Sequence, residues 1–140
     1  MSSPNISQKL RRWLLSLGER CEYCQTSELI TGIPLEADHI HPESKGGSTK
    51  RKNLCRACSP CNTNKNDQIE AVDPDTEVAV RLFHPREHEW TAHFQWSDGG
   101  TTIIGLSPIG RATIVALKLN NPRIVRSRGL RIGVGWHPPS

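Results

Sequence analysis

The stretch ADHIHPESKGGSTKRKNLCRACSPCNTNK, residues 37–65, decides the fold. It opens on Asp38-His39, turns at Gly46-Gly47, and closes on Cys58-x2-Cys61 followed at once by Asn62. Upstream, Cys21-x2-Cys24 supplies a second cysteine pair of the same spacing. A two-residue gap lets both sulfurs of a pair point at one tetrahedral ion about 2.3 Å away, so two such pairs predict a zinc site at Cys21, Cys24, Cys58 and Cys61. Four thiolates leave no open coordination position, which makes that metal structural. Cys55-x2-Cys58 is a competing pair. It is set aside because pairing Cys58 with Cys61 ties Asn62 directly to the zinc knuckle.

Working outward, residues 34–42 read as a short strand, Ser44-Lys-Gly-Gly-Ser48 as a flexible turn, and Asn53-Leu54 as the start of a returning strand. A helix is expected from Asn62 to Ala71, just beyond the second knuckle. On the N-terminal side, Ile6, Leu10, Trp13, Leu14 and Leu17 recur at spacings of three and four, which predicts a helix over 5–18 with Ser7 as N-cap and Gly18 as stop. After the break at Val72-Asp-Pro-Asp75, two strands are expected, at 78–83 and 89–96. The second rests on the alternation of Trp90, Ala92, Phe94 and Trp96. Asp98-Gly-Gly100 then turns into Thr101–Ile104 to make a hairpin, and helices follow at 108–119 and about 122–132.

The composition sets bounds on this plan. The 140 residues are 5% aromatic, with a mean hydropathy of −0.52, so a large apolar core is not available. The four tryptophans (13, 90, 96 and 136) are expected to carry a good share of the packing. A small domain short of core often relies on a metal or disulfides, and the odd count of five cysteines favours the metal. The chain opens on a polar, basic stretch without an apolar leader and shows no run of about 18 apolar residues, so a cytoplasmic protein with reduced thiols is expected. Net charge is +4, unevenly placed. Arg111, Lys118, Arg123, Arg126, Arg128 and Arg131 have no acid among them to the end of the chain, and Lys50-Arg51-Lys52 lies beside the central motif. Such clusters suit a polyanion.

The residue types between the cysteines fit phosphodiester hydrolysis. A neutral histidine, of ordinary pKa about 6.5, can take the proton of an attacking water, which is the role assigned to His39; His41, two residues on, is the rival base. Asp38 and Asn62 offer a carboxylate and an amide oxygen, hard donors that suit Mg²⁺ or Mn²⁺. Asn66 is a further candidate ligand. Successive strand residues face opposite ways, so a strand carrying Asp38 and His39 into one site must end or bulge there.

Taken in order, Asp38-His39-Ile40-x-Pro42, Gly46-Gly47, Asn53-Leu54 and Cys58-x2-Cys61-Asn62-x2-Lys65 resemble the HNH endonucleases, the ββα-metal nucleases, over residues 21–66. Asn62 stands where the family name expects a last histidine. The resemblance implies an α+β fold: a small ββα-metal module (21–71) with a four-Cys zinc site, preceded by a packing helix (1–20) and followed by a hairpin and two C-terminal helices (72–140). It implies metal-dependent cleavage of DNA to 5′-phosphate and 3′-hydroxyl ends, with Asn53 bonded to the backbone near the base. The alternative is a zinc-stabilised nucleic-acid-binding module without cleavage. Lys50, Arg51, Lys65, Arg111, Arg123, Arg126 and Arg128 are the candidate phosphate contacts. One metal site acts on one strand, so a double-strand break needs a homodimer or two visits. Residues 72–140 resemble the tail of some small HNH proteins through Arg81-Leu-Phe-x-Pro85, Gly110-Arg-Ala-Thr113 and Gly135-Trp-His-Pro138, a likeness that assigns no activity.

Overall fold

A computed structural model of the chain describes residues 6–139. The described residues divide into two compact units, one of residues 6–69 and 84–88, the other of residues 70–83 and 89–139. The mixed helix and strand content is that of an α+β protein.

In the first unit, α1 (Gln8–Ser16) starts where the Ser7 hydroxyl accepts from the Leu10 amide, as its N-cap position requires. Asn5, the first residue of the expected helix, lies outside the described residues. Leu14 of α1 packs with Ile6, Ala37 and Leu54 in a small buried cluster, with Leu10 and Trp13 partly buried against it. A short turn of helix, α2 (Glu28–Thr31), follows the first cysteine pair. Strand β1 (Glu36–His39) then pairs antiparallel with β2 (Leu54–Ala57), in a register that sets Ala37 opposite Arg56, Asp38 opposite Cys55 and His39 opposite Leu54. β1 ends on His39, so the change of direction that the Asp38-His39 pair needs falls there.

α3 (Ser59–Lys65) begins one residue beyond β2, with Cys58 as its N-cap and a proline in its first turn. This corrects the helix expected at 62–71. The helix starts earlier because Pro60 is preset for a first turn, and it stops at Lys65 because Asn66 adopts φ +51°. Glu70 and Ala71, read as its last turn, belong instead to a strand that runs on to Val72.

In the second unit, β3 (Glu70–Val72) pairs antiparallel with β4 (Ala79–Arg81), which is shorter than the expected 78–83. The strand expected at 89–96 is corrected to a turn of helix, α4 (Trp90–His93), running into β5 (Phe94–Trp96). The aromatic alternation there has a helical cause: one turn brings Trp90 over Phe94, with ring centroids 5.2 Å apart. β5 pairs with β6 (Ile103–Gly105) across a turn in which Gly100 takes φ +75°, so the hairpin is present. α5 (Pro108–Leu117) and α6 (Pro122–Gly133) follow, each with a capping side chain, Ser107 and Asn121. The buried residues of this unit include Leu82, Phe83, Phe94, Ile103, Ala112, Leu117 and Leu119. The tryptophans contribute less than expected: Trp136 is 57% exposed, and none of the four is fully buried. No helix among the described residues is long and apolar enough to cross a membrane.

Candidate metal centre and catalytic site

The two knuckles are built locally. Cys21 and Cys24 flank a turn in which the Cys21 carbonyl accepts from Gln25 N at 2.9 Å and the Cys24 amide approaches Cys21 Sγ at 3.5 Å; Gln25 takes φ +67° to close it. Cys58 caps α3 and Cys61 lies in its first turn. The four Sγ atoms all lie within 4.8 Å of one another, and the Cys24 and Cys58 sulfurs are 3.6 Å apart. Tetrahedral zinc with sulfurs at about 2.3 Å needs sulfur–sulfur separations of about 3.8 Å. The four cysteines are therefore positioned to hold a metal ion. Burial pushes the Cys21 thiol up, while hydrogen bonds from Cys21, Cys58 and Cys61 pull Cys24 well below the ordinary thiol range. A cation at their centre is what lets several clustered thiols ionise together.

Cys55 stays outside this cluster. It is fully buried opposite Asp38, with its sulfur 3.7 Å from Asp38 Oδ2. Tyr23, which sits between the first two cysteines, donates its hydroxyl to the same oxygen at 2.7 Å. Burial raises both the Tyr23 hydroxyl and the Cys55 thiol, so both keep their protons. Lys65 completes the group. Its ammonium lies 3.4 Å from Asp38 Oδ1, 3.3 Å from Oδ2 and 3.1 Å from the His39 carbonyl oxygen. Lys65 is 1% exposed and Asp38 4%. This corrects the reading of Lys65 as a phosphate contact: one turn beyond Cys61, the helix face that carries the knuckle turns inward and buries the ammonium against β1.

Asn62 lies on the same helix. Its amide nitrogen donates to Glu36 Oε1 at 2.8 Å, and this bond holds the Glu36 carboxyl below its ordinary value. Glu36 and Asp38 alternate onto one side of β1, so Glu36–Asn62 and Asp38–Lys65 form two rungs between β1 and α3. The donors at Asp38 and Asn62 are of the hard oxygen type that Mg²⁺ and Mn²⁺ prefer. The Asp38 carboxylate, however, already carries a cation, the Lys65 ammonium.

His39 turns to the other side. Its Nε2 lies 3.0 Å from Thr49 Oγ1 and 3.7 Å from Glu43 Oε1. The loop that carries Thr49 is held by Asn53, whose Oδ1 accepts from His41 N at 2.8 Å and whose Nδ2 donates to His41 O at 2.9 Å and to Ser48 O at 2.7 Å. The two glycines have separate uses. Gly46 takes φ +87°, and a Cβ on Gly47 would overlap the His41 carbonyl. His41 itself is exposed, and its Nε2 is engaged by the Lys45 carbonyl at 2.9 Å.

Among the basic candidates, Lys50, Arg51, Arg123 and Arg126 are exposed, and Arg51 lies over the Trp13 ring at 5.3 Å. Two others are corrected. Arg111 is bound to Asp73, with Nε 2.9 Å from Oδ1 and a second nitrogen 3.0 Å from Oδ2, and also reaches Asp75 at 3.1 Å. Arg128 is 1% exposed, bonded to the Leu119 and Thr101 carbonyls and to Asn120, and lies over Trp96 at 5.2 Å. Both side chains hold the second unit together. Sequence reasoning missed Tyr23, Glu36, Glu43 and Thr49. Only Glu36 carried a signal, its even spacing from Asp38 along a strand.

Two antiparallel strands, a loop that returns to a histidine at the strand end, and a helix rising from a cysteine knuckle define a ββα module built around a tetrathiolate centre. Residues 21–68 match the family model of the HNH endonucleases. Searches of curated proteins and of solved structures gave no significant match to the chain.

Proposed function

We propose that the chain is a metal-dependent endonuclease that hydrolyses DNA phosphodiester bonds, with His39 as general base. The observation that carries the reading is the position of His39: it ends β1 of a module matched by the HNH family model, and its loop is tied down by Asn53. Nε2 lies 3.0 Å from the Thr49 hydroxyl; in the tautomer that donates Nε2–H to Thr49, Nδ1 is the ring nitrogen that takes the proton of the attacking water. Asn53 keeps the His41–Ser48 segment, and so Thr49, in register with the imidazole. Zinc at Cys21, Cys24, Cys58 and Cys61 replaces the core that this small module lacks and fixes α3 against β1. Asp38 and Asn62 would hold Mg²⁺ or Mn²⁺, which when bound polarises the phosphate and neutralises the departing 3′ oxygen. Lys50 and Arg51 beside the loop, with Arg123 and Arg126 on α6, contact the DNA backbone. One such site cuts one strand, so duplex breaks take two visits or a second copy. Thiols that must stay reduced to bind zinc suit a cytoplasmic protein.

A second reading, a zinc-stabilised nucleic-acid-binding module that does not cut, is favoured by one feature, the counter-charging of Asp38 by Lys65. End-labelled duplex incubated with the zinc-loaded protein and Mg²⁺ or Mn²⁺ separates the two. The nuclease yields fragments with ligatable 5′-phosphate ends. Salt-sensitive retardation of intact duplex, with no fragments in either ion, selects the second reading.

A further inference from the structure

The Asp38–Lys65 pair has a consequence for how a divalent ion reaches the site. Lys65 is fully buried and directs its ammonium at both Asp38 carboxylate oxygens and at the His39 carbonyl oxygen, so one cation is bound jointly by the proposed ion ligand and by the backbone of the proposed base. The buried Tyr23 hydroxyl and Cys55 sulfur both lie against Asp38 Oδ2, at 2.7 and 3.7 Å. A buried carboxylate without a counter-charge is strongly unfavourable, so the protein needs a cation at Asp38 in every state. Two cations on one small carboxylate repel each other, so that seat is held by one at a time.

We propose that Lys65 is a built-in competitor for the divalent ion at Asp38. Mg²⁺ or Mn²⁺ enters by exchange with the Lys65 ammonium, whose departure also releases the His39 carbonyl. This rests on the reading of Asp38 as an ion ligand. The lysine keeps the carboxylate formed and neutralised while no ion is bound, and sets a threshold that an arriving ion must exceed. The ion supplied together with phosphate oxygens of DNA exceeds it more readily than the ion alone, which couples ion binding to the presence of substrate. Lys65 is a positioning residue in this scheme: it touches neither water nor phosphate.

The test uses full-length, zinc-loaded protein without DNA, so it does not depend on cleavage. Mn²⁺ is titrated and free ion read by electron paramagnetic resonance for wild type, Lys65→Met, Lys65→Arg and the double variant Asp38→Asn/Lys65→Met, each checked for zinc content. Exchange predicts that Lys65→Met binds Mn²⁺ at least tenfold more tightly than wild type, that Lys65→Arg does not, and that Asp38→Asn removes the gain. Equal Mn²⁺ affinity in Lys65→Met and wild type overturns the proposal. Should Lys65→Met fail to hold zinc, amine acetylation of the wild type supplies the answer. Lys65 gains reactivity at saturating Mn²⁺ if it is displaced, and unchanged protection overturns the proposal. DNA cleavage by the wild type in either case leaves the nuclease reading in place, so the two ideas fail separately.

Discussion

Replacing Asn53 is the sharpest probe of the loop that follows His39, because its side chain makes three hydrogen bonds to backbone groups of the loop and none to another side chain among the described residues. Each such bond is worth about 1 kcal/mol net, so Asn53→Ala costs about 3 kcal/mol, less whatever water recovers at the exposed His41. Two outcomes are distinguishable. If the loop unfolds with the module, the midpoint of thermal unfolding falls by about 4–8 °C per kcal/mol, or roughly 10–25 °C in all. If the loop opens locally, the midpoint moves little and exchange of the His41 amide accelerates by roughly 10²-fold. Asn53→Asp separates chemistry from size. It can still accept from His41 N, but it loses both donors and faces two carbonyl oxygens with a carboxylate, so it should cost at least as much as alanine. Hydrogen exchange followed by mass spectrometry, with calorimetry on the same samples, reads both. An Asn53→Ala protein with an unchanged midpoint and unchanged His41 protection would refute the argument that Asn53 holds the loop.

Gly47→Ala should damage the same loop, since the new Cβ overlaps the His41 carbonyl; the expected result is lost cleavage with zinc content intact, read by metal analysis beside a nicking assay. Zinc removal acts globally. Structural zinc contributes about 10–16 kcal/mol in small peptides, against about 5–15 kcal/mol for the stability of a whole domain. Chelation, or Cys24→Ser, should therefore abolish the near-ultraviolet circular dichroism of the first unit, and zinc affinity should fall on acidification as the thiols reprotonate. In the second unit, the Arg111 hydrogen bonds hold the Asp73 carboxyl well below the usual carboxylate range. A depressed carboxyl stabilises fully above its unfolded pKa of about 3.9 and loses that contribution only as pH falls toward the folded value, so the Asp73 pair should persist through mild acid, and Asp73→Asn should lower the unfolding midpoint at pH 7. Arg123→Ala and Arg126→Ala should each reduce the salt slope of DNA binding by about 1, whereas Arg128→Ala should destabilise its unit instead.

The four-cysteine cluster and the order of the central elements were legible because each is a local matter. Cysteine spacing determines which sulfurs can meet, and period-three and period-four apolar recurrence marks α1. The polar interior was not. Whether Lys65 faces solvent or Asp38 depends on which side of α3 meets β1, and that is decided by the four-cysteine cluster at its N-terminal end, not by any pattern within Asn62–Asn66. Arg111 and Arg128 look identical in sequence to Arg123 and Arg126, four cations in an acid-free stretch. Their fates divide on the placement of Asp73, 38 residues away, and of the Leu119 and Thr101 carbonyls. The strand expected at 89–96 failed because aromatic alternation over four positions also fits one turn of helix followed by a strand. Trp90, Phe94 and Trp96 cluster either way.

The most direct test of the central claim is nicking of supercoiled plasmid by zinc-loaded wild type and His39→Ala, in Mg²⁺ or Mn²⁺, with circular dichroism and zinc content measured on the same preparations. The account predicts open-circle product from wild type alone, with both proteins folded and each carrying one zinc. Equal nicking by His39→Ala would contradict the assignment of the base. Intact plasmid with both proteins, despite salt-sensitive DNA binding, would contradict the nuclease reading itself.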